Sequence, residues 1–174
     1  ILDNKSQVKG LPERVLELMA LSAQRHLKKD GDIDSQSGPW KLSLDIPTYT
    51  AFMSYAEDSS LREKLYKAFV SRASEGDENN SQIIEEILSL RTKQAKLLGY
   101  DSWADLSLST KMAGKIDSVE KLLEELREPS FKAAELELEN LNNFANKNGF
   151  NDDNQLKPWD ISYWSELLRK EKLN

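Results

Sequence analysis

The sequence predicts a mainly α-helical fold, and three observations lead to that prediction. Apolar residues recur at helical spacing over most of the chain, whereas strict alternation of apolar and polar residues occurs only over Trp40–Ile46. The seven glycines and five prolines lie mostly at the borders of the helical stretches, where such residues begin and end helices. At 174 residues one domain is the natural expectation, so a single helical region is predicted over 1–174.

The one predicted strand is short and half-buried, and it lies near 40–46. Pro47 ends it, because proline cannot donate a hydrogen bond to a sheet ladder. A lone strand is not stable in water, so its edge needs a partner, and no second clear strand is present in the sequence. This mismatch, together with a chain that starts at Ile1 without an initiator Met, favours a fragment of a larger protein.

The other periodic segments are predicted helices. They cover 12–29, 60–75, 82–98, 117–127, 130–147 and 159–172, with a shorter helical stretch over 49–57. Ser60 and Glu63 have the spacing of a capping box. Pro129 separates two helices, because proline removes an intrahelical hydrogen bond. The helix over 82–98 carries two adjacent apolar stripes, so we expect it at the centre of the core with Leu88 buried.

Composition and charge argue against several classes of function. The net charge is −6 and the pI about 5.0, which disfavours nucleic acid or an anionic membrane as the main partner. The apolar runs are at most four residues long, too short to span a bilayer. The chain has no cysteine, which excludes disulfides, thiolate metal sites and a cysteine nucleophile.

The chain lacks the residues of a zinc peptidase site. The His-Glu-x-x-His motif needs two histidines on one helix, with a glutamate that activates the metal-bound water. His26 is the only histidine, so the motif is impossible here, and we expect His26 to be a partly solvated helix residue. The glutamates at 135, 137 and 139 fan over different faces of a helix and are expected to be a solvated surface.

Five runs of residues carry a family resemblance. They are GLPE (Gly10–Glu13), GPWKLSLDIPTY (Gly38–Tyr49), LREKLYKAFVSRAS (Leu61–Ser74), LLGYDSWADLSLSTKMA (Leu97–Ala113) and PWDISYWSE (Pro158–Glu166). In their order and spacing they resemble the zinc oligopeptidases of the thimet oligopeptidase and oligopeptidase A group, from about Lys9 to Lys172. The catalytic motif of that family is not in these runs.

The resemblance implies a parent protein that is a zinc-dependent endopeptidase, with Zn²⁺ as its cofactor and short unfolded peptides as its substrates. This segment would form channel wall and structural support, and its partner would be the remainder of the same polypeptide, the catalytic half. Alone it would bind no zinc and hydrolyse no peptide. The parent would be cytoplasmic, or located in a plastid or mitochondrion if eukaryotic.

Trp159 and Tyr163 are the candidate site residues. By resemblance their Trp-Asp-x-x-Tyr run belongs to a helix that leads toward the catalytic half, so they are candidates for lining the peptide channel. The alternative is packing between helices, since large aromatic side chains dominate cores. Arg62 and Arg72 are expected to form ion pairs within the fold rather than to bind substrate.

A rival interpretation is a stand-alone, non-enzymatic helical scaffold or protein-binding module. Such a protein would bury its apolar groups in its own core and pair its own strand edge. A fragment would instead expose an apolar patch, expected first near the C-terminus. The residues expected there are Trp159, Tyr163, Trp164, Leu167 and Leu168.

Overall fold

The computed structural model describes residues 1–28, 34–150 and 155–173. Over these residues the chain is mainly helical, which confirms the predicted fold class. The α-helices are α1 (Glu13–Leu27), α2 (Ile46–Tyr55), α3 (Ser59–Val70), α4 (Ser81–Leu97), α5 (Trp103–Leu108), α6 (Ile116–Lys147) and α7 (Ile161–Leu173). Short 3₁₀ helices cover Lys5–Val8 and Gly76–Glu78. The predicted end of the first helix, residue 29, lies outside the described residues.

The predicted strand near 40–46 is reduced to one antiparallel bridge. The Trp40 N–H donates to the Leu2 carbonyl at 2.9 Å, and the Leu2 N–H donates to the Trp40 carbonyl at 2.8 Å. The next residue, Lys41, donates its N–H to the carbonyl of Met19 in α1 at 2.9 Å. The backbone at Trp40 therefore finds the partner that its edge needs within this chain, at Leu2, although the sequence shows no second strand.

The end of the predicted strand is the beginning of α2. The Asp45 side chain accepts a hydrogen bond from the Thr48 N–H at 3.1 Å, which caps the first turn. Pro47 fits that turn because its missing N–H would have had no intrahelical partner. The Asp-x-Pro sequence therefore starts a helix at Ile46, where the alternating pattern alone predicts a strand.

The described residues form two compact units. The first consists of Ile1–Val70 and Glu139–Asn174, and the second of Ser71–Leu138. In the first unit, α2 packs against α1, α3 and α7. Its main core contains buried residues from the N-terminal segment, α1, α2, α3 and the segments on either side of α2. They are Leu2, Val8, Leu11, Leu16, Met19, Ala20, Trp40, Phe52, Met53, Ala56 and Leu65.

A smaller core lies where the C-terminal end of α6 meets α7. Leu141, Ala145 and Trp164 are its buried members. Phe144 and Phe150 each place a ring edge-on to the Trp164 indole, with ring centroids 6.2 Å and 5.9 Å away. This cluster fixes α7 against the last turns of α6 within the first unit.

The second unit has little buried surface, which corrects the expectation for the helix over 82–98. Leu88 is 55% exposed, and Ala95 is the one buried residue of α4. Ala95 lies where the chain turns from α4 toward α5, and its carbonyl accepts the Tyr100 N–H at 2.9 Å. The wide apolar face of α4 correctly predicts a surface that another part of a protein should cover. Among the described residues, none covers it.

Pro129 does not separate two helices. It lies inside α6, which runs unbroken from Ile116 to Lys147. Proline deprives the Glu125 carbonyl of its intrahelical donor. Residues 120–140 are all exposed, so water can hydrate that carbonyl and the helix tolerates the loss.

Candidate functional site

The turn that leads into α7 holds a buried carboxylate. Asp160 precedes the first residue of α7, and its side chain is 1% exposed. Its Oδ1 accepts hydrogen bonds from Arg62 Nη2 at 2.6 Å and from Ser59 Oγ at 2.8 Å. Its Oδ2 accepts from the Lys157 N–H at 3.3 Å. Both carboxylate oxygens therefore have partners inside the protein.

Arg62 on α3 joins three backbone segments at this point. Its Nη1 donates to the carbonyls of Ala56 at 2.6 Å and Glu57 at 3.1 Å, at the end of α2. Its Nε donates to the Trp159 carbonyl at 3.1 Å. Since the side chain is 2% exposed, this is a desolvated ion pair in which each of the three guanidinium nitrogens donates at least one hydrogen bond. The expectation that Arg62 forms an ion pair within the fold is confirmed.

The local sequence explains why Arg62 reaches these groups. α2 ends at Tyr55, and the carbonyls just beyond a helix end have no intrahelical donor. Asp58 starts α3 by accepting the N–H groups of Ser60 at 3.0 Å and Leu61 at 3.1 Å. The capping box predicted for Ser60 and Glu63 was wrong, because Ser60 lies inside α3 and donates its own hydroxyl to Asp58 at 2.7 Å.

The predicted site residue Trp159 lies in the turn before α7 and is half-buried. Its ring is 6.0 Å from the Tyr66 ring, and the Lys67 ammonium lies 5.5 Å from its centroid. These neighbours belong to α3, and the indole packs against the edge of the main core. These contacts are the packing between helices that we gave as the alternative for Trp159. A role for Trp159 in lining a peptide channel stays a prediction.

Tyr163, the second predicted site residue, is half-buried on the first turn of α7. The Arg62 guanidinium stacks 4.3 Å from its ring centroid, and the Trp164 ring meets it edge-on at 5.4 Å. Burial raises the pKa of the Tyr163 hydroxyl, the negative charge of Glu57 raises it further, and the positive charges of Arg62 and Lys9 oppose them. The phenol therefore stays protonated at neutral pH and can donate a hydrogen bond.

A surface ion pair lies beside this cluster. Lys9 Nζ is 2.7 Å from Glu57 Oε2, and the hydrogen bond and charge of Glu57 raise the pKa of Lys9. The Glu57 N–H donates to the Lys9 carbonyl at 3.1 Å. Gly10 permits this approach, since it has φ +88° and a Cβ there would lie 2.3 Å from the Tyr55 carbonyl oxygen.

The exposed apolar patch expected near the C-terminus is not formed by the five residues proposed for it. Trp164 is buried, and the other four are half-buried by residues of the same unit. Two buried polar atoms in this region, Trp164 Nε1 and Asn146 Oδ1, have no hydrogen-bond partner among the described residues. The described surface is most apolar on α4 and on the part of α6 that precedes residue 139.

The described residues do not fit a zinc site. Among them, no group of three or more His, Cys, Asp or Glu side chains is placed to hold a metal ion. The Nδ1 of His26 lies 3.3 Å from the Lys41 ammonium, and a neighbouring cation opposes metal binding. The Arg62–Asp160 cluster is closed as well, because its polar groups already bond one another. It can hold the start of α7 in place, and it presents no free base or nucleophile.

Sequence reasoning found Arg62, Trp159 and Tyr163 but missed Ser59 and Asp160. An aspartate just before a predicted helix usually caps it from a solvated position, so sequence gives no sign that Asp160 is buried. One signal was available in the sequence. Arg62 was expected to form an ion pair, and Asp160, in the family-like PWD run, was an available acidic partner. Sequence could not show that residues 98 positions apart would meet.

None of the helices in the described ranges combines the length and the apolar character that crossing a membrane requires. The family model described as "Peptidase family M3" matches residues 52–174. Probable cytosolic oligopeptidase A from Arabidopsis thaliana is 41% identical over 172 residues, which cover 99% of this chain and 24% of the relative.

Two further relatives give the same pattern. The organellar oligopeptidase A of Arabidopsis thaliana, described as chloroplastic/mitochondrial, is 40% identical over 99% of this chain and 21% of its own length. Oligopeptidase A from Escherichia coli (strain K12) is 38% identical over 98% of this chain and 24% of its own length. The chain thus spans about a quarter of the length of these curated relatives. On the extent of the family match, the chain belongs to peptidase family M3.

Proposed function

We propose that this chain is part of a zinc-dependent endopeptidase that hydrolyses short unfolded peptides. The observation that carries the proposal is the match to oligopeptidase A from a plant and a bacterium, at 41% and 38% identity over almost the whole chain. Because the chain spans about a quarter of those relatives, the peptidase activity belongs in this proposal to a longer polypeptide that contains it.

In this proposal the segment is a structural support and part of the wall of a peptide channel. The catalytic motif and the zinc ligands lie elsewhere in the longer polypeptide, since the residues described here do not fit a metal. The Arg62–Asp160 pair supports the role by fixing α3, the end of α2 and the start of α7 to one another. The half-exposed sides of Trp159 and Tyr163 are then available to a peptide.

The direct test is hydrolysis of quenched fluorescent peptides by the longer polypeptide and by the 174-residue chain. We expect the longer polypeptide to cleave short peptides, to lose activity with a zinc chelator and to regain it with added Zn²⁺. A tightly folded protein serves as the control substrate, which an enclosed channel would spare. The 174-residue chain alone should release no product.

Two results would contradict the proposal. One is a longer polypeptide that is folded and loaded with zinc but leaves every peptide intact. The other is peptide cleavage by the purified 174-residue chain at the rate of the longer polypeptide, which would place the catalytic residues here. The cellular location proposed with this function is the cytosol, a plastid or a mitochondrion, and cell fractionation checks it.

A further inference from the structure

The uncovered face of α4 is wider than a helix bounded by water requires. Ile83, Ile87, Leu90 and Leu97 recur at helical spacing and are 55%, 43%, 54% and 87% exposed. A second stripe lies beside the first. It consists of Ile84, Leu88 and Leu98, all more than half exposed. At about 100° per residue the two stripes span about half of the helix circumference.

The same property appears on α6. Leu123 and Leu126 are 60% and 56% exposed, and they lie on the stripe that continues to Leu141 and Ala145. Leu141 and Ala145 are buried against Trp164. One apolar stripe is therefore covered at its C-terminal end and uncovered along the rest of the helix. Uncovered apolar surface of this extent marks an interaction surface.

The charges on α6 indicate what can cover the stripe. From residue 117 to residue 139 there are eight acidic and three basic side chains, a net charge of −5. Two copies of the chain pairing through this helix would bring two such acidic surfaces together, which is unfavourable. A covering surface with lysine or arginine beside its apolar residues complements this charge.

We propose that the uncovered faces of α4 and α6 are docking surfaces for another part of the same longer polypeptide, outside these 174 residues, with lysine or arginine flanking its apolar contacts to α6. This inference rests on the proposed function. The relatives have about three-quarters of their length outside the matched region, which is ample chain to cover both faces. The family match also includes every residue of the second unit.

Single cysteines test the proposal directly, because the 174-residue chain contains none. Ile87→Cys and Leu123→Cys place a thiol on the proposed docking surfaces. The matched controls are Ser89→Cys and Lys121→Cys, which lie two residues away and so about 200° around the same helices. The rate of alkylation at each position is measured by peptide mass spectrometry in the 174-residue chain and in the longer polypeptide.

We expect the thiols at 87 and 123 to react at least about tenfold more slowly in the longer polypeptide than in the 174-residue chain. A tenfold change corresponds to about 1.4 kcal/mol for opening the docked surface to solvent. The control thiols should react equally in both proteins. Equal rates at 87 and 123 in the two proteins would overturn the proposal. Slower labelling at 87 in the 174-residue chain as its concentration rises, with a doubled mass in sedimentation, would assign the surface to a second copy instead.

The stated chemistry of the partner has its own test. Glu120→Lys and Glu124→Lys together place positive charge beside Leu123, so they should repel a basic flank and speed alkylation of Leu123→Cys in the longer polypeptide several-fold. An unchanged rate would overturn the basic flank. Peptide hydrolysis with equal thiol rates contradicts this inference alone, whereas protection without hydrolysis contradicts the proposed function alone.

Discussion

Arg62 Nη2 lies 2.6 Å from Asp160 Oδ1, and both side chains are almost completely buried although they are 98 residues apart in sequence. The same guanidinium donates to the carbonyls of Ala56 and Trp159. One arginine thus stabilises the end of one helix and the start of another. Removing it would leave a buried carboxylate without its counter-charge, which is among the more costly changes a core can undergo.

Arg62→Met is expected to lower the free energy of unfolding by about 3–5 kcal/mol, because the buried Asp160 carboxylate would lose its ion-pair partner. Urea denaturation of the 174-residue chain measures this. Arg127→Met is the control, since it removes an exposed ion pair with Glu124 on α6 and should leave the urea midpoint unchanged within error. Equal midpoints for the two variants would contradict the role assigned to Arg62.

Leu88→Ala is expected to change the free energy of unfolding by less than about 0.5 kcal/mol in the 174-residue chain, because its side chain is 55% exposed. Phe52→Ala, which empties a fully buried position, should cost about 3–5 kcal/mol. Thermal melts of the two variants provide the comparison. A loss at Leu88 as large as the loss at Phe52 would show that α4 is in the core after all.

Gly10→Ala should destabilise the chain more than Gly149→Ala. Both glycines have positive φ, +88° and +94°, so each alanine is strained by about 1–3 kcal/mol. At Gly10 the new Cβ would also lie 2.3 Å from the Tyr55 carbonyl oxygen, whereas at Gly149 no atom lies within 4 Å. Equal denaturation midpoints would mean that the N-terminal segment can move away from α2 at no cost.

Acid should destabilise α3 through Asp58. Burial raises the pKa of Asp58, but the hydrogen bonds from Ser60 and Leu61, with the charge of Arg62, together hold it below its ordinary value. The folded chain therefore binds the proton less readily than the unfolded chain, so this stability is present at neutral pH. It is lost as pH falls below about 5 and through the folded pKa.

Asp58→Asn keeps a capping oxygen but cannot titrate at these pH values. We expect its unfolding free energy to fall less steeply with acid than that of the unchanged chain, in urea titrations at several pH values. Identical slopes for the two proteins would assign the acid sensitivity to other carboxylates.

Tyr163→Phe distinguishes packing from contact with a peptide. The ring and its stack with Arg62 are kept, and only the protonated hydroxyl is removed. In the longer polypeptide we expect unchanged stability and a raised KM for peptide hydrolysis. An unchanged KM would leave Tyr163 as a packing residue. Trp159→Phe in the same assay tests whether the indole of Trp159 contacts the peptide.

Local signals in the sequence predicted most of the helices but not their packing. α1, α4 and α7 lie within two residues of the ranges expected from apolar periodicity, whereas α3 ends at Val70, five residues before the predicted end. The strand prediction over Trp40–Ile46 was wrong because only Trp40 has a ladder partner, Leu2, and because the Asp45 N-cap begins a helix at Ile46. The break predicted at Pro129 was wrong because an exposed helix can satisfy its freed carbonyl with water.

The candidate site was only partly predictable for a different reason. The roles of Arg62 and Asp160 depend on a contact between distant parts of the chain, and periodicity carries no information about such contacts. The width of the apolar face of α4 was likewise misleading. A wide apolar face indicates that the helix packs against something, but it does not indicate which residues cover it.

The ion pair between Arg62 and Asp160 closes a loop in the chain, and that loop contains the whole second unit. The first unit is therefore discontinuous in sequence. During synthesis, Arg62 can pair with Asp160 only after residue 160 has been added to the chain. The cost of closing such a loop grows only with the logarithm of its length, by about 0.6 kcal/mol for each doubling. Residues 71–138 all lie inside this loop, so their number has only a small effect on the entropy of bringing Arg62 and Asp160 together in the unfolded chain.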